Sequence, residues 1–398
     1  MARVLLAGEL GTTDAVRRRL LPLALALRAQ GHEPLLMVND LPKAEATVGP
    51  LGLHLLQAPL WRARVAGLPP VHTYTDLLLR SGFVQPTGLQ GLARAWRDSV
   101  RLLRPDLLVL DHSPVALFAT RALGMPRLRF GDGYSCPPLA CPMPPMSWWN
   151  ATPEPFDTIG ERNALHVANQ AAAALGLPAA AQVSELLAAD GEALCTVPEL
   201  DAYESRAAGS HCGLLVAPHE GTDTPWPGGD TACCFVALHS DHPLLDALVA
   251  ALRAAGQRAV LQLAGSSRPD RAAALTSDGI VVARTPVPVA QVQRHCSHAV
   301  VDGHGAITPG LLLAGKPLLL LPTRIEQLML AHRVQGLGAG LLLDGADPAL
   351  EAALRRLVDE PAWAAAAAAF AERHHAHDDA HTLAAVVARC DALLSASR

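Results

Sequence analysis

The sequence predicts an α/β protein made of two doubly wound parallel sheets, and three observations lead to this prediction. Short apolar runs that suit buried strands alternate with longer runs that suit helices along most of the chain. One segment between residues 205 and 230, rich in glycine, proline, threonine and histidine, interrupts this alternation. The length of 398 residues is comfortable for two domains, and a hydrophobic content of 50% can fill two cores.

In the first half, a strand is predicted at Arg3–Ala7 and a helix at Asp14–Gln30, which ends before Gly31. The same rhythm predicts four further elements: strands Pro34–Val38, Leu107–Leu110 and Arg127–Phe130, and the helix Ser113–Leu123. The proline-rich stretch Cys136–Pro155 is predicted to be a loop. Its tryptophans, Trp148 and Trp149, suit either an apolar or planar ligand or an ordinary surface loop.

The second half restarts the rhythm. It contains predicted strands at Ala232–Leu238, Arg258–Leu263 and Gly279–Arg284 and a predicted helix at Pro243–Ala255. We therefore expect an N-terminal domain over residues 1–205, a linker over 206–230 and a C-terminal domain over 231–380. The final helix, 381–398, is expected to return to the first domain. Two such domains form a cleft at the carboxyl ends of their strands, where doubly wound sheets bind ligands.

The bulk composition excludes several classes of protein. A net charge of -5 leaves no basic footprint for nucleic acid. No apolar run reaches the roughly 18 residues that a membrane-spanning helix needs. The eight cysteines form no CxxC pair, which favours free thiols in a reducing compartment, and a cytoplasmic protein is expected.

The stretch Val300–Leu341 is the most informative part of the chain. A buried strand leads into the glycine-rich turn Asp302–Ala306 and then into a helix that ends at Gly315. A second strand, Pro317–Leu321, is followed by a loop that carries Glu326 and Gln327 into another helix. Free backbone N–H groups at a turn of this kind bind phosphate, and a carboxylate beside an amide can bind vicinal hydroxyls. Phosphate next to a polyol suggests a nucleotide-sugar.

The same stretch resembles the GT-B-fold glycosyltransferases, specifically the UDP-glycosyltransferase-like group that includes macrolide and other natural-product glycosyltransferases. The family pattern is V-V-x-H-G-G-x-G-T…A-G-x-P…L-P…(D/E)-Q…A-x-R-V…L-G-A-G. The positions that match it are Val300-Val301, Ala314-Gly315, Pro317, Leu321-Pro322, Glu326-Gln327, Arg333-Val334 and Leu337–Gly340. Fifteen positions in register over about forty residues are far more specific than a single glycine motif.

The resemblance implies a donor site in the C-terminal domain. The loop Arg284–Pro288, with Pro286 and Val287, would contact the nucleobase. The implied diphosphate and sugar contacts are Gly303, His304, Gly305 and Thr308 for the diphosphate, and Glu326 and Gln327 for the sugar hydroxyls. Glu326 also suits a simpler role as a helix-capping acid.

The glycine turn departs from the family pattern. Asp302 stands in the place of the family's histidine, and a carboxylate next to a diphosphate would repel it. We interpret this as a locally rebuilt turn. His304 can then donate a hydrogen bond to phosphate or simply pack beneath the turn.

Inverting sugar transfer needs a base beside the acceptor hydroxyl. In the family this base is a histidine in the loop after the first strand, oriented by an aspartate after a later strand. Here that loop contains Asp14 and no histidine, while Asp111 and His112 follow the later strand. Each aspartate also suits a helix N-cap. Asp132, between two glycines at the end of another strand, is a third acid on the acceptor side.

These observations predict a glycosyltransferase that moves a sugar from a UDP- or dTDP-sugar to a small-molecule or peptide-like acceptor. Inversion is expected, with no metal and no further cofactor, and Asp132, Trp148 and Trp149 are the candidate acceptor contacts. Two alternatives stay open: a nucleotide-sugar epimerase or hydrolase of related fold, and a non-catalytic homologue that binds a nucleotide or a partner protein. Three consecutive arginines, Arg17 to Arg19, are expected to face solvent.

Overall fold

The chain forms two compact units, residues 1–215 with 378–398 and residues 216–377. The structure is a computed structural model. It describes residues 1–11, 15–68, 70–150, 157–204, 206, 209–216, 224–228, 233–265, 269–305, 307–343 and 349–397. The division between the units lies inside the segment where the strand–helix rhythm of the sequence breaks down.

The N-terminal unit contains a six-stranded parallel sheet with the strand order β3-β2-β1-β4-β5-β6. Its strands are β1 (Arg3–Gly8), β2 (Glu33–Val38), β3 (His54–Gln57), β4 (Leu107–Asp111), β5 (Arg127–Gly131) and β6 (Gly191–Leu194). The inner strands β4 and β5 are buried along their whole length, as expected of parallel strands covered on both faces. The order reverses between β1 and β4, and open α/β sheets bind ligands at such a point.

Helices cover both faces of this sheet. A five-residue π-helix (Val16–Leu20) runs directly into α1 (Leu21–Ala29). The others are α2 (Leu41–Val48), α3 (Tyr74–Arg80), α4 (Pro86–Leu103), α5 (Pro114–Thr120), α6 (Asp157–Ala174), α7 (Val183–Leu186) and the final helix α15 (Asp379–Ala396).

The final helix packs on the N-terminal sheet. Its apolar residues Val386, Val387 and Cys390 belong to the same buried cluster as strands β1 and β4. Arg389 adds polar anchors, because its guanidinium donates to the carbonyl oxygens of Ser210 and Gly209.

The C-terminal unit repeats the same plan with the strand order β12-β11-β10-β7-β8-β9. Its strands are β7 (Cys233–His239), β8 (Arg258–Ala264), β9 (Ile280–Val282), β10 (His298–Val301), β11 (Leu318–Leu320) and β12 (Gly340–Leu342). Its helices are α8 (Leu245–Ala254), α9 (Pro269–Leu275), α10 (Val289–His295), α11 (Ile307–Leu313), α12 (Ile325–Gly336), α13 (Leu350–Asp359) and α14 (Pro361–Arg373). Here the strand order reverses between β7 and β10, directly before the glycine turn.

The prediction of two doubly wound parallel sheets is therefore confirmed. Within the described part of the chain, no helix is both long and apolar enough to cross a membrane. All eight cysteines are free thiols.

Candidate active site

Arg19 holds two carboxylates together at the carboxyl ends of the N-terminal strands. Its Nε and Nη2 atoms donate to the two oxygens of Asp111 at 2.9 and 3.0 Å, and Nη1 donates to Asp132 Oδ2 at 3.2 Å. The Asp111 side chain is 1% exposed and that of Arg19 is 17% exposed. The expectation that Arg19 faces solvent is therefore wrong, because β4 and β5 present carboxylates to it.

Asp111 is consequently an ion-pair partner with no oxygen facing solvent. Burial raises the pKa of Asp111, and the charge of Arg19 opposes that rise. In the resembled family the corresponding aspartate orients a histidine. Here the guanidinium takes both of its oxygens, and such forked pairs fix geometry strongly.

Asp132 is the more accessible carboxylate, since its side chain is 35% exposed. Its Oδ1 accepts a hydrogen bond from the backbone of Ser135 at 2.8 Å, within a tight turn. Burial alone would raise the pKa of Asp132, but Arg19 and the bonds from Ser135 outweigh it and hold the pKa below the ordinary value. The turn requires glycine at position 131, where φ is 147° and a Cβ would lie 2.1 Å from Ser135 Oγ.

His112 follows Asp111 in a left-handed backbone conformation, with φ at 45°. Such conformations are uncommon outside glycine and concentrate at functional sites. The ring lies 5.8 Å from that of Tyr74 and 5.7 Å from that of Tyr134. Its Nε2 is buried and has no hydrogen-bond partner among the described residues. Burial lowers the pKa of His112 to about 4, with Asp132 opposing and Arg19 adding to this shift.

Tyr74 and Tyr134 contact this histidine, and the third tyrosine of the chain, Tyr203, lies near both of them. Tyr74 and Tyr203 are buried and lie within electrostatic range of each other and of Tyr134. The Tyr203 hydroxyl is also buried without a partner among the described residues. The N-terminal unit thus presents aromatic walls beside His112, a feature that sequence spacing did not reveal.

Glu9 is a second residue that the sequence analysis missed. It follows β1 directly, is 2% exposed, and its Oε2 accepts from the backbone N–H groups of Val115 and Ala116 at 3.0 and 3.2 Å. Burial raises the pKa of Glu9 to about 8, and these two hydrogen bonds oppose the rise. Glu9 therefore joins the end of β1 to the start of α5, the helix after Asp111 and His112.

The other predicted residues of this unit are placed as follows. Trp148 donates its indole N–H to the Ala202 carbonyl at 2.9 Å and packs edge-on against Trp149 at 5.4 Å. Both tryptophans are half-buried, in a segment of turns and bends over residues 146–150. Asp14 lies outside the described residues.

In the C-terminal unit, the turn after β10 is built around Asp302. The buried Asp302 carboxylate accepts from the backbone N–H of His304 at 2.9 Å, which closes the turn on itself. Gly303 has φ at 87°, and a Cβ there would lie 2.7 Å from the backbone oxygen of Gln327. His304 is half-buried and Gly305 is exposed. The glycine turn and the start of α12 are therefore packed backbone to backbone.

Gln327 supports the loop before α12. Its Oε1 accepts from the backbone N–H groups of Thr323 and Arg324 at 2.9 and 3.1 Å and from the Thr323 hydroxyl. The side chain is 3% exposed. Gln327 Oε1 therefore caps the loop before α12, and the predicted contact of this residue with sugar hydroxyls stays a prediction. Glu326, one residue earlier, is half-buried.

Two further donor candidates turn inward. Thr308 is fully buried, its hydroxyl has no hydrogen-bond partner among the described residues, and its predicted phosphate contact stays a prediction. Val287 is also fully buried, and its backbone N–H donates to Gln262 Oε1 at 2.7 Å. Its neighbour Pro286 is half-buried. Val287 thus orders the predicted nucleobase loop through Gln262.

Within the described ranges, no three histidine, cysteine, aspartate or glutamate side chains are grouped so that they could hold a metal ion. His374, His377 and His381 do not lie on one helix face that could hold a metal ion, because α14 ends at Arg373 and α15 begins at Asp379.

No family model matches the sequence, and no curated protein matches it. Solved structures of natural-product glycosyltransferases do match in fold. Spinosyn Rhamnosyltransferase SpnG is 20% identical over 98% of this chain and 99% of its own, with a TM-score of 0.68. The fold is GT-B.

Two further structures agree with this assignment. Glycosyltransferase VinC, solved in complex with dTDP, is 16% identical over 99% of each chain with a TM-score of 0.68. Glycosyltransferase SnogD from Streptomyces nogalater is 19% identical over 97% of this chain and 99% of its own, with a TM-score of 0.61. The GT-B fold that the sequence resemblance implied is confirmed.

Proposed function

We propose that this protein transfers a sugar from a nucleoside-diphosphate sugar to a hydroxyl of a small-molecule or peptide-like acceptor. The observation that carries the proposal is the turn Asp302–Gly305 at the reversal point of the C-terminal sheet, packed against the start of α12. The matched fold supports it, since SpnG has been solved with thymidine diphosphate and with spinosyn aglycone. We propose a UDP- or dTDP-sugar as the donor.

The donor proposal assigns roles according to the family resemblance and to the exposure of each residue. The exposed backbone of Gly305 and the half-buried His304 bind the diphosphate, and Glu326 binds sugar hydroxyls. Gln327 Oε1 and the backbone N–H of Val287 act indirectly, because each is already hydrogen-bonded within the protein. The nucleobase of the donor is contacted by the loop that contains Pro286.

On the acceptor side, we propose His112 as the proton acceptor. Asp111 has both oxygens taken by Arg19, whereas His112 Nε2 has no partner among the described residues. A pKa of about 4 leaves the imidazole neutral at neutral pH, as a base must be. Asp14 stays the other candidate, on the strength of the family resemblance alone.

In the proposed step, the acceptor oxygen attacks the anomeric carbon while its proton passes to the base. The bond between that carbon and the diphosphate oxygen breaks, and the diphosphate leaves with the electron pair. Attack from the side opposite the leaving group inverts the configuration at the anomeric carbon. Asp132, Trp148 and Trp149 hold the acceptor in this proposal.

Thermal-shift measurements with UDP-, dTDP- and GDP-sugars test the donor site, and mass spectrometry of the same mixtures with hydroxylated acceptors tests turnover. We expect stabilisation by one of these donors and loss of its sugar to an acceptor. Stabilisation with intact donor across all acceptors would support the non-catalytic alternative. Conversion into an isomeric donor would support an epimerase.

Two substitutions locate the chemistry. Glu326→Ala should reduce turnover sharply, while Glu351→Ala, at an exposed acid of the same unit, should not. His112→Gln should abolish most transfer without weakening donor binding, and His54→Gln, at an exposed histidine, is its control. Full activity of His112→Gln together with loss in Asp14→Asn would assign the base to Asp14.

A further inference from the structure

Arg19 occupies an unusual position for an arginine near the start of a first helix. It lies in the π-helix Val16–Leu20, yet its three guanidinium nitrogens bond to carboxylates at the ends of β4 and β5. Its neighbour Arg17 is exposed on the same short helix. One side chain therefore ties three segments together: the π-helix after the β1 loop, the end of β4 and the turn after β5.

The two carboxylates relate to His112 in different ways. Asp111 precedes it directly, and Asp132 favours its protonated form whereas Arg19 disfavours it. The other described groups that face the ring are Tyr74 from α3 and Tyr134 from the loop after β5. Neither phenol carries a charge at neutral pH. The protonation of His112 is therefore set first by burial and then by the balance between Arg19 and Asp132.

We propose that Arg19 is a positioning residue of the transfer reaction, which clamps Asp111 and Asp132 and so keeps His112 neutral and fixed beside the acceptor. This proposal rests on the proposed function. A lysine could not reproduce the clamp, because one ammonium cannot present the planar fork that bonds both Asp111 oxygens while also reaching Asp132. Without any cation, Asp132 would favour the protonated imidazole more strongly, against the burial that lowers the pKa of His112.

The test is a histidine NMR titration alongside the pH profile of kcat/KM, in four proteins. These are the wild type, Arg19→Gln, Arg19→Lys and the matched control Arg17→Gln. In Arg19→Gln the midpoint of His112 should rise by about one pH unit or more, and the acid limb of kcat/KM should move with it. In Arg19→Lys the midpoint should stay near that of the wild type, while kcat falls by about tenfold or more because the clamp is loosened. Arg17→Gln should match the wild type in both measurements.

A folded Arg19→Gln protein with an unshifted His112 midpoint would overturn the proposal, since a purely structural arginine would lower stability without moving a titration. If Arg19→Gln does not fold, Arg19→Lys decides: wild-type kcat in that variant would equally overturn it. The titration needs no substrate. A failure of the proposed function, seen as no donor turnover by the wild type, is therefore distinguishable from a failure of this inference.

Discussion

The packing of the glycine turn against α12 makes a sharp prediction for Gly303→Ala. At φ 87° an alanine adopts a left-handed backbone at a cost of roughly 1–2 kcal/mol. In addition, its Cβ would lie 2.7 Å from the Gln327 oxygen, inside the 3.0 Å limit that real Cβ atoms respect. The turn or the start of α12 must therefore move, and both belong to the proposed donor site.

Gly256→Ala is the matched control in the same unit. Gly256 also has a positive φ, at 60°, but a Cβ there would meet nothing within 4 Å. The left-handed cost and the lower entropy of the unfolded chain affect both variants, so they largely cancel in the comparison. The remaining difference measures the contact between Gly303 and Gln327.

Calorimetry and titration with dTDP provide the assay. Each 1 kcal/mol lowers the unfolding temperature of a unit of this size by about 2–4 °C, and Gly303→Ala should exceed its control by at least this amount. It should also weaken dTDP binding by about tenfold or more, whereas Gly256→Ala leaves it unchanged. Equal losses of stability and equal affinities in the two variants would refute the close packing of turn and helix.

Three further predictions concern the buried acids and the need for a metal ion. Folded Glu9 keeps its proton up to its pKa of about 8, while the unfolded chain releases it above about 4.5, so the free energy of unfolding should fall as pH rises between these values. The free energy of unfolding should change by at most about 1.4 kcal/mol per pH unit, and Glu9→Gln should remove this change. Urea unfolding of both proteins from pH 5 to 8 measures it. The same pH dependence in Glu9→Gln and in the wild type would contradict the reasoning. Asp111→Asn should lower the free energy of unfolding by about 3 kcal/mol or more, because it leaves the largely buried Arg19 with Asp132 as the remaining carboxylate of the pair. Asp132→Asn should cost clearly less, since its side chain is 35% exposed, and equal costs in urea would contradict this order. Donor turnover should be unaffected by EDTA; a loss restored by Mg²⁺ would contradict the metal independence expected from the sequence.

Much of the fold could be predicted because parallel strands buried on both faces are continuous apolar runs. Strands such as Leu107–Asp111 and His298–Val301 stand out for this reason, and the turn after each follows from the chain direction. The edge strand His54–Gln57 was not predicted, because it is short and only partly buried.

The polar contacts of the site were harder to predict, because they depend on which strands become neighbours. Arg19 meets Asp111 and Asp132 only after β1, β4 and β5 are ordered side by side. Glu9 likewise bonds the start of α5, over a hundred residues away. The three consecutive arginines directly after the predicted catalytic loop indicate a charged site in the sequence. They were predicted to face solvent because a run of arginines at a helix start is usually solvated.

Gln327 shows what a family pattern leaves open about a position that it marks. The family pattern marks this position as a predicted sugar contact, but a pattern alone does not show that its Oε1 accepts from the loop before α12. Its Oε1 is saturated by Thr323 and Arg324, so the residue shapes the donor loop from within.

The central claim is inverting sugar transfer, and a proton NMR time course tests it most directly. The wild-type protein would be incubated with an α-configured dTDP- or UDP-sugar and a panel of hydroxylated aromatic and macrolactone acceptors. We predict loss of the donor's anomeric signal in step with a new β-anomeric signal on an acceptor and release of the nucleoside diphosphate. A donor that binds yet stays intact with every acceptor, or a product that keeps the α configuration, would contradict the account.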